Sequence, residues 1–120
     1  MKNKLKFLQM SIKLIKPTIT YDQFGELEKQ LDIRIGQIVD AERVPKSFGL
    51  KLTVSFGPSG ETKTAFTNLG KDNEPEELIG LLAPFLLNME PSEIKGVMSE
   101  VMILAKPNAD NTFSIGTTIL

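Results

Sequence analysis

The chain has no cysteine and no histidine among its 120 residues. Without cysteine it can form neither a disulfide framework nor a thiolate metal site. Without histidine it lacks the commonest metal ligand and the commonest general base near neutral pH. A hydrolase or a zinc enzyme would have only carboxylates, lysines and Tyr21 to work with. We therefore expect a non-catalytic protein with no metal and no cofactor.

Long apolar runs are also missing from the sequence. No segment approaches the roughly 20 apolar residues that a membrane span needs. The N-terminus begins with lysines, but Gln9, Lys13 and Lys16 interrupt its apolar residues and no small-residue cleavage site follows, so no signal peptide is predicted. We expect a cytoplasmic protein with no membrane partner, folded around one core.

Charge is unevenly distributed along the chain. Residues 1–16 carry five lysines and no acidic residue, whereas residues 17–120 carry nine basic and fifteen acidic side chains. We interpret residues 1–16 as a basic N-terminal arm, whose apolar spacing fits a helix, a strand or a frayed tail equally well. Residues 17–120 form the predicted folded domain. Its acidic body repels a phosphate backbone unless positive groups are clustered.

Local patterns predict a strand-rich fold that begins with a helix. Thr20 or Asp22 is expected to cap this helix, and Phe24, Leu27 and Leu31 give it one apolar face. Period-two alternation and turn residues then predict strands, the first with Gly36 at a bend or bulge. These strands span residues 33–39, 50–56, 62–69, 82–89, 99–106 and 112–115, with a turn at 107–111.

A short second helix is predicted at residues 75–80, between the third and fourth strands. Pro75 and the carboxylates that follow it favour a helix start, and Gly80 ends the helix. Five principal strands with a helix in this position predict an all-β protein with a five-stranded Greek-key barrel, the OB fold.

Several segments carry a family resemblance. Residues 31–39, Leu-Asp-Ile-Arg-Ile-Gly-Gln-Ile-Val, resemble the opening strand of the tRNA-binding domain family, and residues 41–46 continue that pattern. Residues 76–80 resemble the helix before the family's fourth strand. Five more residues fall on the family's Asn, Pro, Gly, Ser and Met positions, namely Asn88, Pro91, Gly96, Ser99 and Met102. The resemblance covers about residues 19–106.

This family includes the C-terminal extension of bacterial methionyl-tRNA synthetases, the free-standing tRNA-binding proteins and the export-related chaperone CsaA. The resemblance implies an OB fold without catalysis, sequence-tolerant tRNA binding and, as in free-standing members, a homodimer. An aminoacyl-tRNA synthetase is a candidate partner. OB grooves bind nucleic acid through positive charge and stacking platforms. The expected RNA-binding residues are Arg34, Lys46, Lys51, Asn68, Asn88, Lys95 and Ser99.

One segment departs from the family pattern. After Asn88 the family usually has lysine or arginine at two or three positions, but this chain has Glu90, Ser92 and Glu93 there and keeps only Lys95. Phosphate contacts set most of the nonspecific affinity for nucleic acid. We therefore expect weaker RNA binding than the family pattern implies.

Some of these residues have a structural interpretation as well. Asn88 is expected either to cap a loop or to contact RNA, and the Ser99 hydroxyl either to satisfy a turn or to contact RNA. Phe48 and Phe66 either stack on bases or pack internally. Core packing is predicted for Phe56 and Phe85.

An alternative function follows from the methionines near the altered segment. Met89, Met98 and Met102 are close in sequence, and methionine adapts to irregular apolar ligands. They indicate a peptide groove, a dimer seam or ordinary core packing. The first of these predicts a CsaA-like chaperone dimer that binds unfolded or export peptides and has lost much of its RNA affinity. The acidic body suits a peptide better than it suits RNA.

Overall fold

The computed structural model describes residues 15–114. The basic arm therefore lies outside the described residues, except for Ile15 and Lys16. The described chain divides after Gln30 into two compact units. Within residues 15–114, no helix is long and apolar enough to cross a membrane.

The first unit contains helix α1, Tyr21–Glu28. Thr20 caps it as predicted: its Oγ1 accepts a hydrogen bond from the Gln23 N–H at 3.1 Å, and Gln23 Oε1 accepts one from the Thr20 N–H at 2.8 Å. This reciprocal pair satisfies two backbone donors at the start of the helix. No residue of α1 is buried, and Phe24 and Leu27 are about half exposed.

The second unit is a five-stranded antiparallel sheet that curls into a nearly closed barrel. Its strands are β1 Ile33–Arg43, β2 Leu50–Ser55, β3 Thr62–Thr67, β4 Leu82–Leu86 and β7 Met102–Ile103. Strand β1 lies at the centre of the sheet, between β2 and β4, and the strand order is β3–β2–β1–β4–β7. Helix α2, Pro75–Leu78, lies between β3 and β4 and follows a 3₁₀ turn at Leu69–Lys71. The predicted OB fold is confirmed.

Two small hairpins complete this unit. One joins β5, Ser92–Ile94, to β6, Val97–Ser99, and the other joins β8, Lys106–Pro107, to β9, Phe113–Ser114. The prediction of one strand over residues 99–106 was wrong. In this segment Ser99 pairs with β5, Glu100 then bonds to Thr64 of β3, and β7 pairs with β4. The segment therefore bends at each change of partner.

The bulge in β1 lies elsewhere than predicted. Gly36 pairs in register with Ala83, while the register against β2 shifts between Ile38 and Asp40. The shift allows Ile38 and Ala41, three positions apart, both to face the core. An extra residue in one strand of a pair produces this change of side.

The barrel is filled by aliphatic side chains from every strand of the sheet. Phe85 is fully buried, and Phe56 packs edge-on against it with ring centroids 5.5 Å apart. The predicted core roles of both rings are confirmed. The other fully buried side chains include Ile38, Leu50, Leu52, Val54 and Ile103.

Candidate nucleic-acid interface

The barrel is closed on one side by side chains rather than by a regular ladder. Glu100 bonds twice to Thr64 of β3: its N–H donates to the Thr64 carbonyl at 2.8 Å, and its Oε1 accepts from the Thr64 N–H at 3.1 Å. Ser99 Oγ accepts from the Phe66 N–H at 3.1 Å and donates to the Val101 carbonyl at 3.2 Å. These bonds form the seam between β3 and the segment that follows β6.

A cavity of about 190 Å³ opens beside the seam, and we call it the seam pocket. Apolar parts of its wall come from β3, from the segment after β4 and from β7. Carboxylates and an amide add polar groups, and Ser99 lies in the wall with its hydroxyl already bonded. The principal wall residues are Phe66, Asn68, Met89, Glu90, Glu100 and Met102.

Two polar side chains of the seam pocket have no bonding partner within residues 15–114. Asn68 precedes the 3₁₀ turn without capping it, and its carboxamide has no hydrogen-bond partner within residues 15–114. Glu90 is exposed and forms no ion pair with any part of the chain that the structure describes. Glu100, by contrast, is held in place by Thr64. The pocket therefore offers one fixed carboxylate and two polar groups that can form hydrogen bonds with a ligand.

Phe66 is half-buried and forms one side of the seam pocket. A β-carbon at position 49 would overlap its ring, so glycine at that position allows the ring to lie against the backbone. Phe48, the other candidate for base stacking or internal packing, is 64% exposed. Phe66 is thus the aromatic ring that the pocket can offer to a ligand.

The turn between β5 and β6 consists of Lys95 and Gly96. Their φ angles are 50° and 85°, so two consecutive residues adopt left-handed conformations. This is the geometry of a two-residue type I′ hairpin turn, which matches the twist of paired strands. The hairpin places the Lys95 side chain at its tip.

Next to this tip is a shallow groove of about 340 Å³, which we call the lysine groove. It is lined by Lys51 and Lys95, and also by Glu42 and Pro45. Lys51 lies 3.6 Å from Glu42, an exposed pair of the kind that contributes little to stability. Lys46 lies in the adjacent turn, beside Pro45, and is exposed. The structure thus brings together two of the three lysines expected to bind RNA.

The remaining expected RNA contacts lie apart from the lysine groove. Asn68 and Ser99 line the seam pocket. Asn88 Oδ1 accepts a hydrogen bond from the Asp32 N–H at 2.9 Å and so extends the pairing of β1 with β4. This bond agrees with the loop-capping interpretation of Asn88.

Arg34 lies at another place on the barrel. Its guanidinium forms a two-pronged ion pair with Asp32, at 2.9 and 3.0 Å, and its pKa is raised by that hydrogen-bonded carboxylate. It borders a small depression that also includes Phe56 and Lys63. Because Asp32 occupies the fork that would bind a phosphate, Arg34 is a weaker candidate than the groove lysines.

The methionines of the peptide-binding alternative are only partly brought together. Met89 and Met102 line the seam pocket. Met98 lies opposite Glu93 on the hairpin and is not part of the pocket wall. Sequence reasoning also missed Glu100, because nothing local marks a side chain whose partner is 36 positions away.

The match to known proteins agrees with this fold. A protein-family model described as "Putative tRNA binding domain" matches residues 33–118. The chain belongs to the tRNA-binding domain family. Within the described residues of this family member, no group of three or more acidic, histidine or cysteine side chains is arranged to hold a metal ion.

Among curated relatives of this tRNA-binding domain are methionine–tRNA ligases. That of Bacteroides fragilis is 34% identical over 103 residues, which cover 86% of this chain and 14% of the ligase. That of Methanococcoides burtonii is 43% identical over 95 residues, which cover 78% of this chain and 13% of the ligase. The chain therefore spans only a small part of these relatives' length.

Solved structures of two further proteins resemble the domain. A MetRS-related protein from Pyrococcus horikoshii has a TM-score of 0.65 and 25% identity, covering 84% of this chain and 88% of that chain. The chaperone CsaA from Bacillus anthracis has a TM-score of 0.62 and 28% identity, covering 87% of this chain and 93% of that chain.

Proposed function

We propose that this domain binds tRNA without catalysing a reaction on it. The observation that carries the proposal is the meeting of the lysine groove and the seam pocket at one hairpin, β5–β6. Single-strand nucleic acid sites in OB folds combine a cationic track for the backbone with pockets or rings for the bases. Here Lys51 and Lys95 supply the track, and the seam pocket supplies the place for a base.

The seam pocket accounts for one acidic residue of the altered segment. Glu90 borders the seam pocket, whereas Lys95 borders the lysine groove. The Glu90 charge therefore lies where a base would bind, and Lys95 lies where phosphates would pass. With few phosphate contacts, we expect modest affinity and a shallow dependence on salt.

Lys51→Ala and Lys95→Ala test the groove. Each change should weaken tRNA binding by about three- to tenfold and reduce the slope of log affinity against log salt by somewhat less than one unit, because one phosphate contact is lost. Filter binding with tRNA at several salt concentrations measures both quantities. Lys71→Ala is the matched control, since Lys71 is an exposed lysine outside the lysine groove wall. Equal losses in all three variants would contradict the assignment to the groove.

A homodimer, a cytoplasmic location and an aminoacyl-tRNA synthetase as partner extend this proposal. The dimer is supported by the outer side of β1 and β4, where Ile33, Ile35 and Leu82 are between 50% and 55% exposed. Adjacent exposed aliphatic side chains of this kind mark protein interfaces. A synthetase partner is supported by the relatives, in which a similar segment forms part of a methionine–tRNA ligase.

A second candidate function is peptide binding, as in a CsaA-like chaperone. It is favoured by the likeness to the chaperone structure and by the seam pocket, where Met89, Met102 and Phe66 lie beside carboxylates. Titration with apolar peptides separates the two functions. Met102→Ala should weaken a peptide reader, while Met98→Ala, outside the pocket wall, should not. A tRNA reader should bind no such peptide.

A further inference from the structure

We propose that the seam pocket binds an unpaired guanine of the RNA, with Glu90 and Asn68 reading its Watson–Crick edge. This inference rests on the proposed tRNA binding and specifies what enters the pocket. Glu90 would accept hydrogen bonds from guanine N1–H and the N2 amino group. Asn68 would donate one from its carboxamide to guanine O6.

The pocket has the size and the walls that a flat base requires. Its volume of about 190 Å³ is many times the space that a single bound water needs. The Phe66 ring and the thioethers of Met89 and Met102 supply apolar surface. Proteins that recognise single-stranded RNA stack splayed-out bases on such surfaces and hydrogen-bond their exposed edges.

The polar groups of the pocket select among the bases. An ionised carboxylate only accepts hydrogen bonds, and a carboxamide both donates and accepts. Guanine presents two adjacent donors beside one acceptor, which complements a pocket wall that holds both Glu90 and Asn68. Adenine, cytosine and uracil each lack the pair of adjacent donors, so a carboxylate binds each of them through one hydrogen bond at most. Both Glu90 and Asn68 are uncommitted within residues 15–114, so neither must break a bond to bind.

Glu100 adds a fixed negative charge to the same pocket. Its Oε1 is held by the Thr64 N–H, so the carboxylate cannot turn away when a ligand enters. It repels phosphate and leaves base edges with N–H donors as the favoured occupants. The pocket is therefore suited to a base and unsuited to the RNA backbone.

The neighbouring groove favours RNA over a cationic peptide as the source of those donors. Lysine or arginine side chains of a peptide would satisfy Glu90 and Glu100 equally well. However, Lys51 and Lys95 flank the other side of the same hairpin and would repel a basic peptide. An RNA strand satisfies both surfaces, because its phosphates are anionic and its bases carry donors.

The test compares hairpin RNAs that differ only at one unpaired loop base. The wild-type domain should bind the guanine hairpin about tenfold more tightly than the adenine hairpin, since a bidentate contact to a base commonly gives discrimination of this order. Inosine, which lacks the N2 amino group, should fall between them. Glu90→Gln should remove most of the preference by lowering affinity for the guanine hairpin, while affinity for the adenine hairpin should rise slightly because repulsion of phosphate decreases. Asn68→Ala should also reduce the preference.

Glu93→Gln is the matched control. It removes the same charge from the same segment, but Glu93 lies outside the pocket wall, so the guanine preference should persist. Circular dichroism tests whether each variant is folded. Equal binding of all hairpins by the wild-type domain would overturn the guanine inference and leave tRNA binding intact. Absence of RNA binding at any salt concentration would overturn both proposals. Displacement of RNA by a lysine-rich peptide in a Glu90-dependent manner would overturn the inference in favour of a peptide.

Discussion

At the scale of single residues, Ser99 has a structural task that extends beyond the turn predicted for its hydroxyl. Its hydroxyl accepts from Phe66 N–H and donates to the Val101 carbonyl, so it connects β3 to the segment after β6. A family resemblance alone suggests an RNA contact at this position. The hydrogen bonds show that Ser99 helps to hold the seam together.

We expect Ser99→Ala to lower the free energy of unfolding by about 1–2 kcal/mol, because the partly buried Phe66 N–H loses its partner. Urea denaturation measures the change. Ser92→Ala removes a hydroxyl from an exposed residue of the same hairpin and should change stability by less than about 0.5 kcal/mol. A loss in tRNA affinity without a loss in stability would instead indicate a direct RNA contact by Ser99.

At the scale of secondary structure, the β5–β6 hairpin combines a strained turn with a lysine that we propose contacts phosphate. Lys95 adopts a φ of 50°, which costs an ordinary L-residue free energy that asparagine or glycine largely avoids. Natural type I′ turns favour Asn-Gly for this reason. The retention of lysine fits the groove that its side chain borders.

Lys95→Asn should therefore raise the free energy of unfolding by roughly 0.5–1 kcal/mol and at the same time weaken tRNA binding. Thermal unfolding and filter binding on the same sample measure the two effects. Lys71→Asn is the control. Because Lys71 lies outside the turn, this change should not raise the free energy of unfolding. An unchanged tRNA affinity in Lys95→Asn would show that the lysine serves only the turn.

Local elements were predictable because their determinants are close in sequence. Thr20 caps the first helix as its position predicts, and period-two alternation locates β1, although it does not identify which side of β1 faces the core. The hairpin was missed because each of its strands has only three residues. The seam was missed because Ser99 and Phe66 are 33 positions apart. Only the folded chain shows that Glu90 and Asn68 share a pocket.

At the scale of the whole molecule, the barrel has a core but leaves one sheet face apolar and exposed. On β1, Ile33 and Ile35 point away from the core. Leu82 of β4 lies opposite Gln37 of β1. The proposed homodimer would cover these side chains, whose burial contributes about 25 cal/mol per Å² of apolar surface.

Ile35→Lys should convert the proposed dimer into a monomer, since it places an unpaired charge in the interface. Sedimentation velocity at several protein concentrations measures the oligomeric state. Phe48→Lys is the control, because Phe48 is also exposed but lies in the turn between β1 and β2. A wild-type domain that sediments as a monomer at all concentrations would refute the dimer.

The seam also provides two natural reporters. The backbone amides of Thr64 and Phe66 donate to side chains of Glu100 and Ser99, which belong to the wall of the seam pocket. A molecule that enters the pocket should change the chemical environment of those two amide protons more than that of amide protons elsewhere in the barrel. Their NMR resonances therefore distinguish a ligand inside the pocket from one bound only along the lysine groove.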